Sequence, residues 1–584
     1  MSRYAGCKPV HHDASLFIVD VSSKTLFGLA LERVTRIKRD SGHIALMGDY
    51  LRKFDTLHFS FGSCSELQGL RQVLPIVFGL EEHPAREILR NPLISSKEKL
   101  ERISRLDPKI TNVVKGWLEF LSLTESDLIR HQKITDAAWL KLNSNRLPWV
   151  KKITLHDHHT CHAVGAYLHC GFDDCAIVTL DGYGDGCFSK VFHARNGKVI
   201  QHAKSDLRWT WGYLYANATR LLGYYPNADE GKVEALASFG TPSAKLYDAL
   251  MQGYAITPNL SIVGKENYLL KYWNIHTLTA LRDQLGRENF AATIQAFLED
   301  KAVEYMRAVR NQLGGKVACA GGIFGNVSMN QAIFERAGFE QIFIMPAMND
   351  SGSAQGAAYL AALEAGENLD WIKEHDMPFW GPSYSENQIL SALETKRNKI
   401  KFEKITDGEK RIAKHIFNNK ILALFRGPQE WGPRALGHRS LLANAAGGIA
   451  IKNRINGHIK RRESFQPFCP SMLAEECNRL FVSAYQNKHM TSAFKLRDEH
   501  LHALEAIAHI NGTARPQFVT KKGEPFLYSV LAELKQLTGY GVVLNTSFNL
   551  HGRAMVLTPE DAITDFLDCV IDALYLQGYW VTAK

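Results

Sequence analysis

The sequence predicts an α/β protein built from two large units. Three observations predict it. The chain has 584 residues, too many for one ordinary core. Its first two thirds repeat the order of short apolar strand, glycine turn and helix. A polar stretch at 366–387, carrying Pro378, Gly381 and Pro382, then precedes a second set of apolar strands.

The elements follow in order. SLFIVD (15–20) and TLFGLALE (25–32) read as two strands joined by a tight polar turn at Ser22 to Lys24. CAIVTLDGYGDG (175–186) is a buried strand ending in a glycine-rich turn. FSKVFHARNGKVIQHAK (188–204) is a hairpin turning at Asn196 and Gly197. KVACAGGIFGN (316–326) is a strand that runs into glycines, and QIFIMP (341–346) is a strand closed by Pro346. SAQGAAYLAALEAG (353–366) is a small-residue helix ending at Gly366. Asp13 and Asp181 each lie beside apolar strands near the start of a half, a weak sign of duplication. The second unit holds the strand ILALFRG (421–427), the basic stretch IKNRINGHIKRRESFQPF (451–468) and the strand GVVLNTSFN (541–549). The expected division is 1–370, a linker 371–387, and 388–584.

Composition is that of a soluble globular chain, 45% hydrophobic and 22% charged. A net charge of +9 over this length reads as a slightly basic surface, and no run of like charge suggests a nucleic-acid tail. No stretch approaches the ~18 apolar residues of a membrane span, and the first residues lack a signal-peptide core. Ten cysteines are scattered without a CxxC pair, as in a reduced, cytoplasmic protein.

Four motifs carry chemistry. HDHHTCHAVGAYLHCG holds His156, His158, His159 and His162, and the i,i+4 pair His158 and His162 points both imidazoles to one side of a helix. Asp181, at the end of the next strand, can complete a metal site, although a capping or solvated histidine cluster fits the pattern equally. LDGYGDG (180–186) offers Asp181 and Asp185 among glycines that let backbone N–H groups approach phosphate. An ordinary turn reads the same way. In MNDSGSAQGAA (348–358), Asp350 opens a helix whose N-terminus favours an anion, or is simply well capped. EWGPRALGHRS (430–440) and IKRRESFQPF present Arg434, Arg439, Lys460, Arg461 and Arg462, suited to phosphate or to solvent.

Together these segments resemble the O-carbamoyltransferases of the nodulation-protein U and tobramycin carbamoyltransferase family. The resemblance runs nearly end to end: HHDAS (11–15), ERVTRIK (32–38), HHTCHA (158–163), LDGYGDG, EGKVEALASFG (230–240), GGIFGNVSMN (321–330), NDSGSAQGAA (349–358), EWGPRALGHRS, KRRESFQPF (460–468) and LNTSFN (544–549). It implies an N-terminal duplicated domain of the ASKHA (actin/hexokinase) type and a C-terminal YrdC-like domain. It also implies transfer of a carbamoyl group from carbamoyl phosphate, with ATP and its Mg2+, through a carbamoyl-adenylate to a hydroxyl of a small molecule or sugar. By the same resemblance His158, His162, Asp181 and Asp350 hold a divalent metal, with iron(II) as precedent. His12 serves as general base beside the carbamoyl carbon, and Asp181 belongs to the reaction centre. Lys38, Thr210 and Asn326 line the adenylate site. Arg434, Lys460, Asn545 and Ser547 hold the donor.

Two positions depart from the family pattern. Gln466 stands in FQPFCP, and Pro428 in GPQEWGPRALG, where the family carries arginines. Arg426, Arg461 or Arg462 is then expected to take over the charge. Two other readings compete: a non-enzymatic binding protein with a degraded donor site, and a threonylcarbamoyl-type tRNA-modifying enzyme, which would not need the EWGPRALG half. Zinc-finger CxxC pairs of a hydrogenase-maturation enzyme are missing.

Overall fold

A computed structural model describes residues 2–9, 12–40, 42–60, 95–106, 144–265, 275–463 and 465–584. The first sheet is formed by β1 (Arg3–Lys8), β2 (Ser15–Asp20), β3 (Thr25–Ala30), β4 (Thr56–Phe59) and β5 (Lys152–Leu155), in the order β3-β2-β1-β4-β5. β1 and β2 are antiparallel, as are β2 and β3, whereas β1 runs parallel to β4 and β4 to β5. The central strand, RYAGCK, lacks a strong apolar run and is invisible to a periodicity search. The third strand stops at Ala30, two residues short of the expected end, because Leu31–Thr35 turns helical.

The same pattern then recurs. β6 (Cys175–Gly184), β7 (Cys187–Arg195) and β8 (Lys198–Asp206) form an antiparallel meander, with Asn196 and Gly197 both at positive φ in the predicted turn. A short ribbon of β9 (Tyr254–Ile256) and β10 (Ile262–Gly264) and a group of helices intervene. β11 (Lys316–Ala320) and β12 (Gln341–Ile344) then complete a sheet of order β12-β11-β6-β7-β8. β6, β11 and β12 are parallel. Strand order and sense match those of the first sheet, so the N-terminal unit is a duplicated actin/hexokinase-type fold.

Each sheet is followed by an equivalent helix, His158–Cys170 after β5 and Asp350–Glu364 after β12. Small residues let these two helices cross closely. A Cβ on Gly356 would lie 1.9 Å from the Cys161 carbonyl oxygen, and one on Gly6 would lie 2.1 Å from that of Ala354. The duplication therefore brings the starts of both helices to one place at the middle of the molecule.

The C-terminal unit is an eight-stranded mixed sheet of order β13-β22-β21-β14-β15-β20-β16-β19. Its strands are β13 (Ile400–Lys404), β14 (Leu422–Phe425), β15 (Arg439–Asn444), β16 (Cys469–Leu473), β19 (Gln517–Val519), β20 (Val542–Ser547), β21 (Ala573–Leu576) and β22 (Tyr579–Ala583), with β17 (Phe494–Lys495) and β18 (Thr513–Ala514) paired apart from it. In β14, Ala423 and Phe425 enter the core formed with helices Glu386–Thr395 and Pro559–Leu567, while Leu422 and Leu424 face helices Gly408–Phe417 and Pro525–Thr538. Both faces are covered, which explains the unbroken apolar run of ILALF.

The two units are packed together. Trp431 lies in the N-terminal core, 5.3 Å from the Phe17 ring, and its indole N–H donates to Gln355 Oε1 at 3.0 Å. A Cβ on Gly28 would come within 2.6 Å of that indole. Between the units, Trp380 is buried in the N-terminal core and its carbonyl accepts from Gly28 N. Among the described residues no helix is long and apolar enough to cross a membrane.

Candidate active site

The helix His158–Cys170 begins where the Asp157 carboxylate accepts from Thr160 N at 2.8 Å, capping an otherwise unpaired first turn. Asp185 accepts from His158 N at 2.6 Å and so serves this helix end rather than a cation. His158 and His162 project side by side, with ring centroids 4.7 Å apart. His159 points the other way, its Nδ1 bonded to Thr179 Oγ1 and its Nε2 to the Cys187 carbonyl. Burial lowers its pKa to about 3, so it is a neutral core histidine.

Gly184 of LDGYGDG, and Gly212 opposite the motif, serve close packing. A Cβ on Gly184 would sit 2.2 Å from His158 Cδ2, and one on Gly212 would sit 2.6 Å from Gly182 Cα. This lets β6 carry Asp181 against both imidazoles. Asp181 Oδ2 is 3.1 Å from His158 Nε2 and 3.2 Å from His162 Nε2, while its Oδ1 accepts from Gly182 N at 2.6 Å. Asp350 opens the equivalent helix and turns Oδ1 toward the same two nitrogens, at 3.6 and 3.7 Å. Its Oδ2 pairs with Lys8 Nζ at 2.8 Å.

Two imidazoles and two carboxylates thus present four donor atoms within 4.8 Å of one another. His162 Nε2 is buried without a hydrogen-bond partner although it faces two acidic groups. That donor set suits a divalent cation of the first transition row. For the side chains alone, burial disfavours charge on His162, but Asp181 and Asp350 outweigh it and raise its pKa to about 9. Burial and Asp350 would raise the Asp181 carboxyl, yet the two histidines hold it well below the usual range.

Beside this cluster opens a cavity of about 460 Å³ lined by both units. Of the residues expected at the site, His12, Lys38, Asp181, Asn326, Asp350, Arg434 and Ser547 line it, with His158 and His162 buried behind the two aspartates. His12 Nδ1 lies 3.2 Å from Asp13 Oδ2. Burial opposes its protonation, but Asp13 and Asp350 prevail and raise its pKa. Burial lowers that of Lys38.

Thr210, Lys460 and Asn545 are outside the cavity wall and brace it. Thr210 Oγ1 donates to the Gly182 carbonyl at 2.6 Å and caps the helix Trp211–Leu221. Lys460 Nζ donates to the Ser547 carbonyl at 2.6 Å and to Asn549 Oδ1 at 2.7 Å. Asn545 Nδ2 donates to Ser471 Oγ at 2.8 Å. Asn326 lines the wall and also caps the helix Val327–Arg336 through Met329 N.

The loop EWGPRALGH is shaped by Glu430 Oε1, which accepts from the backbone N–H groups of Leu436, His438 and Arg439 at 2.8–3.0 Å. Arg439 is buried, stacked on Phe425 and donating to the carbonyls of Arg426 and Gly427. That leaves Arg434 facing the cavity, and Arg515 joins it there. Each has a buried Nε with no partner. Arg515 went unnoticed in the sequence because ARPQF offers no motif. The three expected substitutes for the departing arginines are placed elsewhere. Arg426 pairs with Glu524, Arg462 donates to Asn456, and Arg461 is exposed at a helix end. Gln466 is only 8% exposed and donates to Glu463.

Comparison with known proteins agrees with this arrangement. Residues 3–359 match the family model described as the carbamoyltransferase N-terminus, and residues 413–583 match the carbamoyltransferase C-terminus. An uncharacterized protein of Methanocaldococcus jannaschii is 38% identical over the whole of both chains. Nodulation protein NolO of Bradyrhizobium diazoefficiens is 31% identical over 73% of this chain and 79% of its own. Nodulation protein U of Sinorhizobium fredii is 28% identical over 68% of this chain and 73% of its own. With both family models matched in order along a chain whose two units share one cavity, the protein belongs to the carbamoyltransferase family and is a carbamoyltransferase enzyme.

Proposed function

We propose that the protein transfers a carbamoyl group from carbamoyl phosphate, with ATP and by way of carbamoyl-adenylate, to a hydroxyl of a small-molecule or sugar acceptor. The observation that carries this reading is the shared cavity, in which Arg434, Arg515 and Ser547 of one unit line the same space as His12, Asp181 and Asp350 of the other. A mixed anhydride of carbamate and AMP is short-lived in water, so making and using it within one enclosure protects it. We divide the chain at 1–370, 371–387 and 388–584, and we assign it to the cytoplasm. The free thiols of its nine described cysteines support that assignment.

Arginine forks at 434 and 515 bind and orient the donor's phosphate oxygens. Lys460 holds the carbonyl and hydroxyl of Ser547 from behind, and Thr210 holds the Gly182 turn. A divalent metal held by His158, His162, Asp181 and Asp350, with iron(II) the first candidate, supplies Lewis-acid stabilisation of negative charge on oxygen. His12 Nε2 takes the proton of the acceptor hydroxyl as oxygen attacks the carbamoyl carbon and AMP leaves. Asp13 at Nδ1 steadies the imidazolium that results.

The reading is tested with purified protein, ATP and carbamoyl phosphate by following diphosphate release and the adenylate. His162→Ala should lose stoichiometric metal by elemental analysis and nearly all transfer. A variant with the parent's metal content rejects the metal assignment. No diphosphate from the parent protein favours a binding protein of the same fold.

A further inference from the structure

Lys8 belongs to no motif and is the last residue of β1, the strand of the first sheet that corresponds to β6, which carries Asp181, in the second. It is 3% exposed, yet its ammonium lies 2.8 Å from Asp350 Oδ2. The two acidic groups of the site are handled alike in one respect. Each directs one oxygen to the imidazole pair and has the other occupied, Asp181 by the Gly182 amide and Asp350 by Lys8. They differ in charge, since an amide is neutral and an ammonium is not.

From this geometry we propose that Lys8 is a positioning residue for the metal centre: it keeps Asp350 a one-oxygen ligand and leaves the centre one positive charge richer than its four ligands alone would make it. Counting the four ligands and Lys8 alone, two aspartates cancel a divalent cation, the histidines add nothing, and Lys8 adds one positive charge beside Asp350. A centre with that surplus attracts the anionic donor and the oxygen on which charge grows, while holding its own cation less tightly. One-oxygen ligation by both aspartates also limits the protein to four ligand atoms and keeps coordination positions open toward the cavity.

The proposal rests on the metal reading above, and its test separates the two. Cobalt(II) is titrated into metal-stripped full-length parent, Lys8→Gln, Lys8→Met and Lys8→Arg proteins, with the visible spectrum recorded and circular dichroism as a folding control. Gln keeps a hydrogen bond to Asp350 without the charge, and Met removes both. Both neutral variants should bind cobalt about tenfold or more tightly. Only Lys8→Met should change the band shape, as the freed oxygen joins the metal, and Lys8→Arg should restore the parent's weaker binding. Unchanged or weaker binding by folded Lys8→Gln overturns the proposal, as does an unaltered spectrum in folded Lys8→Met. Failure of the parent itself to bind cobalt overturns the metal reading, and this proposal with it.

Discussion

At the scale of single residues, the donor side turns on where positive charge faces the cavity. Gln466 stands where the resemblance leads one to expect an arginine, but its amide is tied to Glu463 and it does not reach the cavity wall. Arg515 does reach it, beside Arg434. Arg515→Ala should therefore raise the Michaelis constant for carbamoyl phosphate by about ten- to a hundredfold, the loss of one charge-assisted contact of ~1.5–3 kcal/mol. Gln466→Arg should leave that constant within about twofold. Steady-state titration of the donor checks both, and a large gain from Gln466→Arg would mean that position 466 is an open phosphate site.

Buried histidines lower acid stability together: burial brings the pKa values of His58, His489 and His509 to about 4 and those of His159 and His169 to about 3, and His489 serves as the example. His489 is buried and donates to the Asp376 carbonyl, and burial lowers its pKa to about 4. Between about 6.5 and 4 the unfolded chain binds a proton there that the folded chain does not. Stability is therefore lost as pH falls through that window, by up to ~1.4 kcal/mol per pH unit for this group. Thermal melts from pH 7 to 4.5 should show a shallower fall for His489→Gln than for the parent. Parallel slopes would remove His489 from the account.

At the scale of elements, the site depends on the crossing of two equivalent helices. Their approach is set by Gly356 against the Cys161 backbone, while Gly6 of β1 lets the second helix press on the first sheet at Ala354. Gly356→Ala forces the helices apart where no flexible side chain can give way. It should cost ~1–3 kcal/mol by overpacking and should also weaken metal binding, because His162 and Asp350 ride on the two separated helices. Chemical denaturation together with metal analysis tests this. A destabilised variant that retains full metal affinity would show that the ligands are positioned by their strands and caps rather than by the crossing. The same elements show why motif reading succeeded only in part. The i,i+4 histidines were legible, since helix geometry places them on one side whatever the fold, and Asp181 was legible as the acidic residue where the apolar run of β6 meets its glycines. Asp185, in the same motif, caps the helix start instead of joining the imidazole pair, and nothing in DGYGDG distinguishes it from Asp181.

At the scale of the whole molecule, the EWGPRALG loop has two faces. Trp431 anchors it in the N-terminal core, and Arg434 enters the shared cavity. The two half-reactions should still separate genetically. Arg434→Ala should fail to form the adenylate yet transfer carbamoyl from adenylate supplied directly, whereas Asp181→Ala should fail in that second assay. Identical failure of both with added adenylate would mean that the two units act as one indivisible centre.

Sequence by itself determined the α/β class, because apolar runs, helical spacing and glycine turns constrain short segments directly, and its motifs pointed by resemblance to the family, to the four side chains His158, His162, Asp181 and Asp350 that the structure brings together, and to some of the residues that line the cavity. Only the tertiary structure decided which polar side chains meet. β1 is the central strand of its sheet but reads weakly, since Gly6 and Cys7 replace the expected apolar alternation where a helix presses close. Lys8 and Asp350 are paired across the duplication, Arg515 reaches the cavity from a loop with no motif, and Lys460 faces Ser547 and Asn549 rather than the open space. Ion pairs and hydrogen bonds between segments hundreds of residues apart depend on the relative placement of whole sheets, which no local spacing encodes.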